Sequence, residues 1–472
     1  MKQSKSFYRI LATVLIALAF GIFVLAFGVL LTGCGNRAEK PGTAKAGEGY
    51  VAFVKADAFN LHQVITADST TSRTVMWQSE TEEKDAFVEY RAIGREGVAA
   101  DQTQDQIQRS GIGAGTTGKT DNKSAAVRGK TLVQQEYRND RFTDNGKTTY
   151  VHTVTLQDLR PGTTYEYRLG YGNRRSQWYR LTTAEGKCYK ALIFPDSQSA
   201  RYKTWEDVAM PAWKRNQDAQ FFIAMGDLVD NGEHAYQWNE WFARIGPMIT
   251  RIPAAPVLGN HETYTMDWKV RIPQAYLHYF QLPEGGPQVY KNQFYSFDYG
   301  DVHYVVLNTQ MQEMKEFYPN LLQDQLDWFK ADMEKAKKKW NVVLLHKDVL
   351  RYGFLTRETP REEGFSEEGK VFMPLFDKYK VDVVLTAHLH TYRNRGHIYD
   401  FKRDTKGPLY ILTGVAGDVR YPNLWKRHSL DVAIAPQPET NNYMVLETST
   451  DKLRFSCYLP DGTKIDEVEL EK

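Results

Sequence analysis

Five strongly apolar runs in this chain each end in side chains able to bind a metal ion. Ala191-Leu192-Ile193-Phe194 runs into Asp196-Ser197-Gln198, and Phe221-Phe222-Ile223-Ala224-Met225 into Gly226-Asp227-Leu228-Val229-Asp230. Ala255-Pro256-Val257-Leu258 leads to Gly259-Asn260-His261-Glu262, Val342-Val343-Leu344-Leu345 to His346, and Val383-Val384-Leu385 to His388-Leu389-His390. Short apolar runs bounded by glycine and polar residues read as buried strands, and their alternation with helical stretches reads as an α/β domain. Ligands of open α/β sheets sit beyond the carboxyl ends of the strands. The five loops are therefore expected to converge, although they span nearly the whole domain.

Carboxylates, side-chain amides and imidazoles suffice for two divalent cations if one carboxylate bridges them, and Asp227 is the natural bridge. Glycine before Asp227 and before Asn260 lets the backbone turn sharply and leaves room for metals and substrate. Two metals about 3.5–4 Å apart hold a hydroxide between them and clamp a phosphoryl group for in-line displacement. Hydrolysis of a phosphate ester is the expected reaction. With 3 cysteines and no CxxC pair, thiolate zinc sites are excluded. The 60 Lys and Arg against 58 Asp and Glu leave no broad electrostatic footprint for nucleic acid.

A chain of 472 residues is comfortable for two domains. Lys2, Lys5 and Arg9 precede an apolar run from Ile10 to Leu31, followed by Thr32-Gly33-Cys34, so residues 1–34 read as an export segment. The run approaches the ~20 residues of a membrane span, and the basic residues before it place the body of the protein outside the cytoplasm. Residues 35–56 read as a linker. From 57 to 185, short alternating strands such as Thr74-Val75-Met76-Trp77 and Ala86 to Ile93 predict an all-β sandwich. A Gly-, Gln- and Thr-rich stretch from Gly94 to Lys130 reads as a long hairpin loop within it. The α/β domain occupies 187–472. In it, Leu322, Leu326, Phe329 and Met333 predict an amphipathic helix over Leu321 to Lys339. Export leaves two readings for Cys188 and Cys457: a disulfide, or two small apolar side chains.

Taken in order, Asp196, Gly226-Asp227, Gly259-Asn260-His261-Glu262, Val343-Leu344-Leu345-His346 and Ala387-His388-Leu389-His390 resemble the motifs of the calcineurin-like metallophosphoesterases. Ser72-Arg73-Thr74-Val75-Met76-Trp77 and the Pro161-Gly162-Thr163 turn before Tyr165 are similar to the amino-terminal, fibronectin type III-like domain of purple acid phosphatases. Leu31-Thr32-Gly33-Cys34 resembles a bacterial lipobox, which implies cleavage before Cys34 and acylation of its thiol. The rival there is a retained anchor helix. The resemblance implies a two-sheet α/β/β/α sandwich behind the all-β one. It also implies two metal ions, drawn from Fe, Mn or Zn. Asp196 and His390, with Gln198, would hold the first, Asp227 would bridge, and Asn260, His346 and His388 would hold the second. His261 would approach the phosphate and either protonate the leaving oxygen or stabilise the transition-state charge, oriented by Asp230.

Departures from the pattern carry their own expectations. Where purple acid phosphatases place a tyrosine three residues after the bridging Asp, this chain has Asp230, so no purple charge-transfer band is expected. Gln198 stands where relatives often have His or Gly, so the first metal would meet a neutral amide oxygen or a water. Ala387 replaces a glycine, a change small enough to leave both histidines in place.

Arg351 and Tyr352, and Arg420 and Tyr421 after Gly414-Val415-Ala416-Gly417, are candidate contacts for the phosphate or the leaving group. Asn308 would lie behind the metal loops. Glu262 either orients a neighbouring loop or is solvated. His234, His278, His303, His397 and His428 fall outside the motifs and read as structural. The expected protein is an exported, membrane-tethered hydrolase of phosphate monoesters or diesters, working by attack of metal-bridging hydroxide. Its rival is a surface lipoprotein whose sandwich binds a glycan or a protein and whose second domain is vestigial.

Overall fold

In the computed structural model, residues 49–93, 130–135 and 138–472 are described. The expected export segment with Cys34, most of the expected linker and nearly all of the Gly94 to Lys130 stretch lie outside them.

The five apolar runs form strands, three in one sheet and two in another. Lys190–Phe194, Phe221–Ala224 and Ala254–Pro256 are parallel neighbours in a ten-stranded sheet. Trp340–Leu345 and Val383–Thr386 are parallel neighbours in an eight-stranded sheet. The alternating faces of these strands show how the layers stack. Along Trp340–Leu345, Trp340, Val342 and Leu344 join Phe221 and Ile223 of the other sheet in one core. Val343 and Leu345 instead meet Phe329, Phe372 and Phe376 of the helices Leu321–Lys335 and Glu367–Lys378. Helices Lys203–Arg215 and Ala235–Arg244 cover the opposite face of the ten-stranded sheet, where Trp205 stands edge-on to Phe194 and stacks on Trp241. The result is the expected α/β/β/α arrangement. Each large side chain so buried contributes about 1.5–3 kcal/mol.

The all-β region packs a six-stranded sheet, centred on Ala86–Ile93 and Thr164–Tyr171, against Arg73–Ser79 and Lys147–Leu156 around Trp77, Val88 and Leu169. The Tyr165 hydroxyl accepts the Arg160 N–H at 2.8 Å, pinning the Pro161-Gly162 turn as a tyrosine corner does. The second layer of this sandwich is not separate from the α/β domain. Phe59–Val64 pairs with Arg73–Ser79 on one side and, through Val64 opposite Ala254, with Ala254–Pro256 on the other. One sheet therefore runs through both regions.

The amphipathic helix stops at Lys335, short of Lys339, because Ala336 turns to φ −58°, ψ 130°. Beyond it Lys338 donates to the Gly300 carbonyl at 3.0 Å and Lys339 pairs with Asp451 at 2.6 Å. Cys188 and Cys457 are both free, the first exposed and the second buried, so the disulfide reading does not hold.

His303, expected simply to pack, is clamped between two carboxylates: Asp298 at 2.8 Å from Nδ1 and Asp332 at 2.9 Å from Nε2. Burial disfavours its cation, yet the hydrogen bonds it donates to both aspartates raise its pKa to about 9. The stability this confers is fully present below the unfolded value near 6.5 and is lost as pH rises through about 9. Chemical denaturation of His303→Gln is expected to show a loss of at most about 3 kcal/mol at pH 6 that shrinks toward zero at pH 10. A loss equal at both pH values would refute the charged clamp.

Candidate metal centre

The strand ends bring Asp196, Asp227, Asn260, His346, His388 and His390 into one cluster, all buried except His388, which is half-buried. Asp227, His346 and His388 form one group whose ligand atoms lie within 4.8 Å of one another, and Asp196, Asp227 and His390 form another. Asp227 belongs to both. His346 Nε2 lies 3.1 Å from Asp227 Oδ2 and 3.2 Å from Asn260 Oδ1. His390 Nε2 lies 3.6 Å from Asp196 Oδ1.

The backbone aims these atoms. Asp227, His388 and His390 all have positive φ, at 49°, 76° and 53°, a conformation that non-glycine residues adopt at a cost and that clusters at functional sites. The loops hold one another there. The Asp227 carbonyl accepts the Ser197 and Gln198 N–H groups at 3.1 and 2.9 Å. The Asp196 carboxylate takes the His388 N–H with both oxygens at 3.0 Å, and the Asp196 carbonyl takes the Ala416 and Gly417 N–H groups at 2.8 and 2.9 Å. Both glycines of the motifs are forced by close approach. A Cβ on Gly226 would meet His346 Nδ1 at 2.5 Å, and one on Gly259 would meet Asp227 N at 2.2 Å.

Glu262 is the residue whose two sequence readings the structure separates. It is buried, and its carboxylate accepts the N–H groups of Asp227, Leu228, Val229 and Gly259 at 3.1, 2.7, 3.3 and 2.7 Å. Burial and the Asp227 charge push its pKa up to about 7. It orients the loops and does not meet solvent.

The donor set fits cations. His346 Nδ1 bonds to the Met225 carbonyl at 2.9 Å and His390 Nδ1 to the Val419 carbonyl at 2.7 Å. A carbonyl only accepts, so both Nδ1 atoms carry a proton and both Nε2 atoms are left to face the centre, where a cation would take the place of any Nε2 proton, the arrangement that outer partners give to metal-binding imidazoles. Asp227 Oδ2, His388 Nδ1 and Gln198 Oε1 are buried without a hydrogen-bond partner, the kind of orphaned atom that a ligand or ion explains. The electrostatics agree. Burial raises Asp196 against the pull of His390 and His346, while burial and the neighbouring His346 depress His388. His346 rises to about 9 despite burial because Asp227 and Asp196 face it. Such a knot of carboxylates and imidazoles is relieved by positive ions placed among them.

His261 stands at the rim. Its Nδ1 bonds the Asp230 carbonyl at 2.7 Å, with the Asp230 carboxylate farther off at 3.4 Å. Asp230 thus orients the ring mainly through its main chain. His261 Nε2 points inward, 4.0 Å from Asp227 Oδ2 and 3.4 Å from the Gln198 amide. Burial works against its cation, but Asp227 and Asp230 raise its pKa to about 10.

The outer candidates divide. Arg351 lines a cavity of about 300 Å³ with His388, Lys347 and Arg361. Tyr352 is buried and donates to Asp431 at 2.8 Å, a packing role and not a contact with substrate. Arg420 is exposed, whereas Tyr421 sits 4.9 Å from the His390 ring. Burial, then the charges of Asp227, Asp196 and Asp230, raise the Tyr421 phenol. Asn308 lies behind the centre, donating to Gln293 at 3.1 Å and accepting from Gln310, which reaches the Leu258 carbonyl at 3.0 Å. Sequence reasoning missed Tyr264 and Trp268, whose rings lie 5.6 and 5.7 Å from the His261 ring. Nothing in Thr263-Tyr264-Thr265-Met266-Asp267-Trp268 distinguishes them from an ordinary exposed turn.

Comparison with known proteins agrees with this geometry. The family described as calcineurin-like phosphoesterase matches residues 192–392, and the purple acid phosphatase N-terminal domain matches residues 58–183. Acid phosphatase type 7 of Mus musculus is 26% identical over 327 residues, 60% of this chain and 70% of the mouse protein. Purple acid phosphatase 22 of Arabidopsis thaliana is 27% identical over 288 residues, 59% of this chain and 60% of the plant protein. A purple acid phosphatase from yellow lupin (Lupinus luteus) seeds superposes with a TM-score of 0.65 over 88% of this chain and 74% of its own, at 16% identity, which speaks to fold. The chain therefore carries a calcineurin-like phosphoesterase domain preceded by a purple acid phosphatase N-terminal domain, and its relatives are acid phosphatases.

Proposed function

We propose that this chain is an exported, membrane-tethered phosphatase with a dinuclear centre that hydrolyses phosphate monoesters or diesters. The observation that carries the dinuclear reading is the sharing of Asp227 by two ligand groups, one completed by His346 and His388 and the other by Asp196 and His390. Asn260 Oδ1, near His346, supplements the first group, and Gln198 Oε1, unpartnered and buried, supplements the second. Metal ions bound there would supply Lewis-acid polarisation of the phosphoryl group and a nucleophile usable near neutral pH.

The chain's own residues account for the other half of the reaction. His261, held by the Asp230 carbonyl at 2.7 Å, presents Nε2 to the centre, 4.0 Å from Asp227 Oδ2, and would protonate the leaving oxygen. The Asp230 carbonyl at 2.7 Å and its carboxylate at 3.4 Å from Nδ1 favour the protonated imidazole, as a general acid requires. Tyr421, 4.9 Å from the His390 ring, would meet the phosphate oxygens, and Arg351 shares only the neighbouring cavity with His388. Glu262 keeps Asp227 and Gly259 in register throughout. Ligands for both metal positions, together with His261, favour a working enzyme over a vestigial domain, because a binding module needs none of them.

The tether rests on sequence: basic residues, the Ile10 to Leu31 apolar run and Cys34. Among the described residues no helix is long and apolar enough to cross a membrane.

Elemental analysis of the purified chain after loading with Mn²⁺, Fe²⁺ or Zn²⁺ is expected to show close to two metals per chain, with turnover of a chromogenic monoester or diester. In Asp227→Asn both metals and turnover are expected to fall together. No metal and no turnover in the loaded wild type would overturn the reading. His261→Asn is expected to retain its metals while kcat drops about 10²–10⁴-fold, and by more for a phosphate of a basic alcohol than for nitrophenyl phosphate. Equal losses on both esters would exclude protonation of the leaving group. Cys34→Ser is expected to abolish incorporation of labelled fatty acid and release the protein from the membrane fraction, whereas retention in that fraction would identify an uncleaved anchor.

A further inference from the structure

The loop after His261 carries an exposed tryptophan in an unusual setting. Tyr264 and Val270 bridge in antiparallel fashion, the Thr265 N–H bonds the Lys269 carbonyl at 2.8 Å, and the Trp268 N–H bonds the Thr265 carbonyl at 3.0 Å. This tight turn holds Trp268 at φ 60°, a conformation that favours glycine. Trp268 is 56% exposed, so its burial does not explain its presence. Its ring stands edge-on to His261 at 5.7 Å and lies 6.0 Å from Tyr264, whose hydroxyl reaches the Asn260 side chain. The three rings thus make a wall that begins at the centre and ends in solvent.

The turn is braced from outside. The Met266 N–H bonds Glu233 at 3.0 Å, and Arg271 bridges Asp144 at 2.8 Å and Glu233 at 3.3 Å. Asn145 lies against the Met266 sulfur at 3.0 Å. Asp144 and Asn145 form the tip between the strands Arg138–Asp144 and Lys147–Leu156, so the all-β region clamps this turn. An apolar ring that is rigid, open to solvent and beside a candidate general acid suits a planar group docking against it, since stacking works for any flat π-face.

We infer that Trp268 is a stacking face for the leaving group, and that the esters this site prefers are those of flat alcohols, aryl or nucleoside. The inference rests on the phosphoesterase reading above.

The test is calorimetric titration of the metal-loaded full-length chain with phenylphosphonate and methylphosphonate, whose C–P bonds are not hydrolysed as esters are. The wild type is expected to bind the phenyl compound about tenfold more tightly. Trp268→Ala is expected to bring the two within about twofold by weakening the phenyl compound alone, and Trp268→Phe to keep most of the preference. Asp144→Ala, which loosens the brace, is expected to lower the preference in the same sense. A preference intact in Trp268→Ala, or absent in the wild type while methylphosphonate binds, overturns this inference and leaves the phosphoesterase reading standing. Binding of neither phosphonate by the loaded wild type, with no turnover of any ester, overturns both.

Discussion

A single buried carboxylate keeps the centre in shape. Glu262 gathers four backbone N–H groups from two strand-end loops, which leaves the Asp227 and Gly259 segments little freedom to move apart. An amide left unsatisfied in this dry interior is costly, and Glu262 satisfies four of them at once. The carboxylate therefore acts as the fixed point from which the Asp227 side chain, with its left-handed backbone, projects toward His346. Everything outward of it, from the shared aspartate to the imidazoles, inherits that geometry.

The part of this arrangement that was legible in the sequence is the part built from buried strands. Ala191 to Phe194 and Val342 to Leu345 announce themselves because both faces of each strand are covered, so every residue must be apolar. The residues that follow them are then placed by topology alone. Edge and polar strands were not legible for the converse reason. Arg138–Asp144 reads Arg-Asn-Asp-Arg-Phe-Thr-Asp and buries only Phe142, and Lys464–Glu471 alternates charges along an exposed sheet margin. No local pattern marks either as a strand.

Within the site, adjacency defeated sequence reasoning. Arg420 and Tyr421 are neighbours in the chain, and only the turn of the backbone decides that the phenol and not the guanidinium stands beside His390. The same holds for Asp230, whose carboxylate was the evident partner of His261 but whose carbonyl lies closer. Contacts made by the main chain leave no signature in residue type. Long-range contacts are equally silent: the pairing of Asp144 with Arg271 joins positions far apart in the sequence, and neither residue is unusual where it stands.

The continuity of the ten-stranded sheet across the two regions has a further consequence. Ala254–Pro256 carries the segment that leads to Asn260 and His261, and on its outer side it is covered by Phe59–Val64 from the amino-terminal region. Were that region cut away, this strand would become an open margin with unpaired backbone groups, the kind of surface on which chains add to one another. The amino-terminal region is in this sense the selvedge of the catalytic sheet, and a shortened chain would exchange a finished border for a tendency to aggregate.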